Sequence, residues 1–227
     1  MYIQLIAKSI LEADLTKSDN QLEQFVKWQL KETGIGKRWN YILDQRRSGY
    51  LAKKIMNLLP EENPVILDIL SGTGTVAEAL RDLGCTVIET DRLSHYPKLS
   101  GSKKALDLEE EWEQVSRISA DVVLVLTSLH HESNLNQFIG KLATLKTKRF
   151  IIIENLRTEE TEYDLHSRMD WFFNRCLNSF GAECPGWYWS REQWEILLGS
   201  LGNVQWKYTM DDVPGIPFTY DLFDIKR

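Results

Sequence analysis

Ile66-Leu67-Asp68-Ile69-Leu70-Ser71-Gly72-Thr73-Gly74-Thr75 is the stretch whose reading decides the fold of this chain. An apolar run preceded by Pro64 ends in a glycine turn, and residues 75–83 resume at helical spacing up to Gly84. Glycines between a buried strand and a helix let the chain turn sharply and let a ligand approach the backbone. Gly72-x-Gly74-x-x-Ala77 fits a dinucleotide-binding turn. Asp91 lies 19 residues after Gly72, near the end of the next strand, where a carboxylate can accept two ribose hydroxyls. These features leave a nicotinamide cofactor and another adenosine-containing cofactor both open.

The surrounding pattern is that of an α/β domain. Short apolar runs at 65–70, 86–90, 121–126 and 149–154 alternate with helical stretches at 75–83, 109–117 and 134–145. Such alternation predicts a mostly parallel sheet covered on both faces. Two later runs, 204–210 and 218–225, are joined by a loop too short for a crossover, so they form an antiparallel pair. Helices are expected at 20–33 and 39–59, at 162–180, and at 190–201, where Ser190 and Gln193 are spaced as a capping box.

Composition narrows the class. The 227 residues are 43% apolar and 26% charged, which excludes disordered, collagen-like and coiled-coil chains. No run of about 18 apolar residues is present, so no transmembrane helix is expected. Residues 1–15, interrupted by Lys8, Glu12 and Asp14, do not read as a signal peptide, and a cytoplasmic protein is expected. Cys85, Cys176 and Cys184 form no paired framework and no CxxC motif, consistent with a reducing compartment and no structural zinc. Residues 1–60 hold 10 basic and 6 acidic side chains, and the remainder 17 and 27. An acidic body argues against a broad nucleic-acid surface. The basic stretch from Lys37 to Lys54 is either a solvated helix face or a contact for an anionic substrate or partner.

Asp68 separates the two cofactor readings. A buried carboxylate inside a strand is costly unless paired, and a nicotinamide site has no use for it. Here the sequence resembles the class I S-adenosylmethionine-dependent methyltransferases, whose first motif is a strand with an acidic residue and a glycine turn, as in Leu67 to Gly74. The resemblance implies that Gly72 and Gly74 line the methionine end of the cofactor and that Asp68 helps to hold it. Leu70 stands where the family usually has the first glycine of the turn. Further resemblances follow in order. Residues 84–91 look like the second strand with its ribose-binding acid, Asp91, with Glu89 as second choice. Asp107, in Ala105-Leu106-Asp107-Leu108, looks like the acid that contacts adenine. Residues 121–131 look like the fourth strand and the turn facing the methyl group. The cofactor set is therefore Asp68, Leu70, Gly72, Gly74, Asp91, Asp107 and Thr127. The implied fold is a Rossmann-like, doubly wound, seven-stranded sheet, mostly parallel, with one antiparallel strand near the C-terminus. An N-terminal helical cap (1–60) precedes the methyltransferase domain (61–227), which carries a helical, aromatic lid at about 158–201.

Methyl transfer is an in-line displacement, and a general base helps when the acceptor is a hydroxyl or a protonated amine. His130 and His131, after the fourth strand, and His166, on the aromatic helix, are the candidate bases; either of the first two can instead cap its turn. His95, in a loop, has nothing to recommend it. Glu154-Asn155 is similar to the acid–amide pair of magnesium-dependent catechol methyltransferases, but Thr127 and Ser128 stand where those need an Asp, so no metal is expected. The turn lacks the Asp/Asn-Pro-Pro-aromatic motif of base-amine methyltransferases, and Cys184-Pro185 has the wrong order and place for a cytosine nucleophile. A small, aromatic or apolar acceptor is expected, with no nucleic acid or membrane, in a monomer or homodimer. Five of the eight tryptophans lie between 171 and 206. Trp39, Tyr41, Trp171, Trp187 and Trp189 are the expected acceptor wall. The alternatives are a nicotinamide-dependent oxidoreductase and a non-catalytic binding protein of the methyltransferase fold.

Overall fold

Seven strands, β1 (Val65–Ile69), β2 (Thr86–Asp91), β3 (Leu106–Asp107), β4 (Val122–Leu126), β5 (Arg149–Asn155), β6 (Asn203–Met210) and β7 (Tyr220–Lys226), form one sheet. Their order in the computed structural model is β3-β2-β1-β4-β5-β7-β6. It describes residues 20–59, 63–92, 105–158, 162–177 and 186–227. The pairs from β3 through β5 are parallel, whereas β7 runs antiparallel to both β5 and β6. The connections reverse direction at β1, which places a crevice beyond the carboxyl ends of β1 and β4.

Alternation along the strands fills two cores. Leu67, Ile69, Val123, Val125, Phe150 and Ile152 face one side. There they meet α5 (Trp112–Arg117), α6 (Leu135–Leu142) and α8 (Arg191–Leu198) through Val115, Phe138 and Trp194. Ile66, Val122, Leu124 and Ile151 face the other side, against α3 (Ser48–Met56) and α4 (Thr75–Asp82) through Leu51, Ile55 and Leu80. The expected capping box is present: Ser190 and Gln193 bond each other's backbone N–H at the start of α8.

A third core joins the two flanking segments. α1 (Asn20–Glu32) places Val26 and Leu30 against Met169, Trp171 and Phe172, the last three from the aromatic helix. The Arg175 guanidinium meets Glu23 at 2.8 Å. The N-terminal helices and the aromatic helix therefore brace each other.

Two departures from the expected helices matter for the site. The helix expected at 39–59 begins earlier, as α2 (Ile35–Tyr41), and widens into a π-helical turn, Ile42–Arg47, before α3. The aromatic helix, α7 (Glu162–Trp171), widens in the same way over Phe172–Leu177. Its expected end at residue 180 lies outside the described residues, as do His95 and Cys184. Among the described residues no helix is long and apolar enough to cross a membrane.

Candidate functional site

The crevice is a cleft of about 470 Å³. Its floor is the turn after β1. Leu70, Gly72 and Gly74 all have left-handed backbones, with φ of 58°, 59° and 72°. Leu70 thus adopts the conformation that the family's usual glycine would take without strain. At Gly74 the reason for glycine is also steric, because a Cβ would lie 2.9 Å from Glu89 Oε1. Gly74→Ala is expected to cost about 1–3 kcal/mol, read as a lower midpoint in thermal or denaturant unfolding. An unchanged midpoint would show that Glu89 and the turn yield freely.

The same contact separates the two candidate acids of β2. Glu89 is buried beneath the turn and paired with Arg81 at 2.8 Å. Asp91 opens on the cleft, where its Oδ2 accepts the Gly72 N–H at 2.6 Å and its Oδ1 the Arg92 N–H at 2.7 Å. Asp107 ends β3, but its Oδ1 accepts the N–H groups of Glu109 and Glu110 and it does not line the cleft. Glu109 lines that end instead.

Two side chains lining the cleft keep a polar atom without a hydrogen bond. Asp68 is 2% exposed, and its Oδ1 makes no hydrogen bond. Burial, followed by the charges of Glu89 and Asp91, pushes its carboxyl up to about 8, with Arg81 acting in the opposite sense. Arg47 reaches in from the first π-helical turn. Its Nη2 donates to Thr127 Oγ1 at 2.9 Å, its guanidinium lies 5.7 Å from the Tyr220 ring centroid, and its buried Nε makes no hydrogen bond. Thr127 is itself left-handed, with φ of 51°. Both π-helical turns supply cleft residues, the first Leu43, Asp44 and Arg47 and the second Phe173 and Asn174. Such turns re-aim side chains that a regular helix would direct elsewhere.

The turn after β4 is organised by Glu154 of β5, which is fully buried. Its Oε1 accepts the N–H groups of Ser128 and Leu129 at 2.8 and 2.7 Å, and its Oε2 lies 2.7 Å from His130 Nδ1. His130 Nε2 lies 3.4 Å from Asp170 Oδ2. Burial disfavours the imidazolium, but Asp170 and Glu154 outweigh it and raise the His130 value to about 10. A ring held protonated near neutral pH does not accept a proton, so His130 is poorly suited to be the base. Asp170 is also buried; despite that, His131 and His130 hold its carboxyl below the ordinary range. His131 Nε2 lies 3.8 Å from Asp170 Oδ1 and the ring lines the cleft. His166 does not: it is fully buried, stacked on Phe218 with centroids 4.5 Å apart.

None of the five aromatics expected to wall the acceptor lines the cleft. Trp171 is buried in the third core, and Trp39 packs on Phe172 and Phe173 while donating to Gly215 O. Tyr41 is 62% exposed. Trp187 donates to Glu132 O, and it and Trp189 pack beside Trp194 on the sheet. The tryptophans instead hold the covering segments in place. The apolar wall is made by Leu43, Phe173, Ile216 and Phe218.

No protein-family model and no curated protein matches the sequence. Solved structures do. The mitomycin 7-O-methyltransferase MmcR matches over 88% of this chain and 60% of its own, at 18% identity and TM-score 0.52. The magnesium protoporphyrin IX methyltransferase ChlM from Synechocystis PCC 6803, with bound SAM, matches over 90% and 96%, at 14% identity and 0.51. A SAM-dependent methyltransferase from Archaeoglobus fulgidus matches over 79% and 94%, at 14% identity and 0.54. The chain thus spans 60% of the length of MmcR, and 53% of the CurJ carbon methyltransferase that it also resembles. Sheet order, the antiparallel β7 and these matches together establish that the chain has the fold of the class I S-adenosylmethionine-dependent methyltransferases.

Proposed function

We propose that the chain transfers a methyl group from S-adenosylmethionine to a small organic acceptor. One observation carries the reading: an unpaired buried carboxylate oxygen on Asp68 and an unpaired guanidinium nitrogen on Arg47 face the same cleft. An amino acid zwitterion satisfies both, and this cofactor ends in one. A nicotinamide dinucleotide carries no ammonium for Asp68 to hold. Asp91, whose oxygens accept the Gly72 and Arg92 amides and which lines the cleft, is the acid we assign to the ribose hydroxyls.

The cofactor supplies a methyl group already activated on a sulfonium sulfur. The remaining work falls to side chains of this chain. Asp68 and Arg47 fix the amino acid end. The turn at Thr127 sits beside them and faces the space above. The apolar wall of Phe173, Ile216 and Phe218 excludes water and favours an aromatic or apolar acceptor. The acidic body favours a small molecule over nucleic acid. We place the protein in the cytoplasm as a monomer or homodimer.

Calorimetric titration with S-adenosylhomocysteine and with NADH tests this directly. The first is expected to bind and the second not; binding of NADH alone would reverse the conclusion. Asp91→Ala is expected to weaken S-adenosylhomocysteine about 10–100-fold, the loss of charge-assisted hydrogen bonds of about 1.5–3 kcal/mol. Unchanged affinity would place the ribose elsewhere.

A further inference from the structure

His130, His131 and Asp170 meet on one wall of the cleft, and each offers a ligand atom within 4.8 Å of the others. His130 Nε2 lies 3.4 Å from Asp170 Oδ2, and His131 Nε2 lies 3.8 Å from Asp170 Oδ1. A cation held at about 2.1 Å by such atoms sets them roughly 3.0–3.6 Å apart for angles of 90–120°. Small side-chain adjustments would close the triad on an ion.

The surroundings are those of a supported ligand set. His130 is 2% exposed, and its Nε2 makes no hydrogen bond. Its other nitrogen, Nδ1, is held by Glu154 Oε2 at 2.7 Å, which orients the ring with Nε2 toward Asp170. Tyr188 Oη donates to Asp170 Oδ2 at 2.6 Å and fixes that carboxylate. Two buried carboxylates, Glu154 and Asp170, converge on His130. A divalent cation on two neutral imidazoles balances both charges.

We propose that His130, His131 and Asp170 bind one divalent transition cation, Zn2+ or Fe2+, with open positions facing the acceptor space. Two imidazoles and one carboxylate suit a borderline cation; Mg2+ prefers a set made wholly of oxygens. The site therefore differs from the magnesium site that Thr127 and Ser128 argue against. Its use rests on the methyl-transfer reading above. A hydroxyl or enol oxygen of the acceptor on the cation would lose its proton to water. The resulting oxyanion attacks the methyl carbon, an O–C bond forms, and the electron pair of the breaking C–S bond passes to sulfur. No oxidant or reductant is consumed.

The test uses the full chain stripped with EDTA. Co2+ is added and followed by visible absorption, and Zn2+ and Mg2+ by calorimetry, beside His131→Ala and Asp170→Asn. One equivalent of Co2+ is expected to develop d–d bands, with Zn2+ affinity falling roughly 100-fold or more in either variant. His131 is the less buried of the histidines, so His131→Ala keeps the test available should Asp170→Asn loosen α7. Absence of the bands in the wild-type chain, Zn2+ affinity unchanged from wild type in both variants, or saturation by Mg2+ in preference to Zn2+ would each overturn the assignment. S-adenosylhomocysteine affinity is measured on the same samples. Its absence beside intact metal binding would remove the methyl-transfer reading and leave the ion site standing.

Discussion

Asp68→Asn is expected to make the protein more stable at pH 8 and a poorer binder of S-adenosylhomocysteine. The wild-type carboxyl titrates at about 8 in the fold against 3.8 ordinarily, chiefly because it is buried. The folded chain holds a proton that the unfolded chain has released, so unfolding between these values is favoured as the pH rises. The Asp68 contribution is complete below pH 3.8 and is lost as pH climbs through 8, on the order of 6 kcal/mol in all. Asparagine has nearly the same shape and does not ionise. The difference between variant and wild-type unfolding free energy should therefore grow from pH 5 to pH 8. A difference that stays flat would mean that Asp68 is solvated or paired. Binding should move oppositely, because the neutral amide cannot neutralise an ammonium; a loss of about 10–100-fold is expected. Ionisation of Asp68 by the arriving ammonium also predicts release of close to one proton at pH 7. Titrations in buffers of different ionisation heat read it directly, and Asp68→Asn should abolish it. Here the destabilising group is the one proposed to hold the ammonium, so stability and binding are expected to oppose each other at one residue.

The sheet and the glycine turn that floors the cleft are legible for a local reason. Alternating apolar runs at 65–70, 121–126 and 149–154 report burial on two faces, and both glycines report backbone that a Cβ would obstruct or strain. Asp68 was conspicuous because an acid inside such a run is anomalous. The acceptor side was illegible because its parts come from distant elements. Arg47 was visible only as one charge in a basic stretch, and Asp170 as one acid on an aromatic helix. What brings them to the cleft is a π-helical widening at 42–47 and the packing of α7 on α1, neither of which leaves a period in the sequence. The tryptophans misled for the complementary reason. Their density marks segments that need anchoring, and large aromatic surfaces do that by being buried against one another rather than by facing a ligand. Asp107 shows the same limit on a smaller scale, since a two-residue strand leaves its acid free to bond the next turn.

Glu154→Ala is expected to be the most destabilising single change in the site, and the comparison with Glu154→Gln shows why. In sequence, Glu154-Asn155 is similar to the acid–amide pair of a metal site. In the fold the carboxylate points into the turn after β4 and bonds two amides and a ring nitrogen. Alanine strands the Ser128 and Leu129 amides and leaves His130 facing a void in a position with no access to solvent. Breaking such a buried cluster from one side costs about 3–5 kcal/mol. For a chain of this size that lowers the midpoint roughly 6–20 °C. Glutamine retains an oxygen for the two amides but sets an N–H2 against His130 Nδ1, so its loss should be smaller, about 1–3 kcal/mol. The expected order is wild type, then Glu154→Gln, then Glu154→Ala. Hydrogen exchange at the Ser128 and Leu129 amides should follow the same order, because Glu154 Oε1 is what protects them. A Glu154→Ala midpoint within a degree or two of wild type would mean that water replaces the carboxylate.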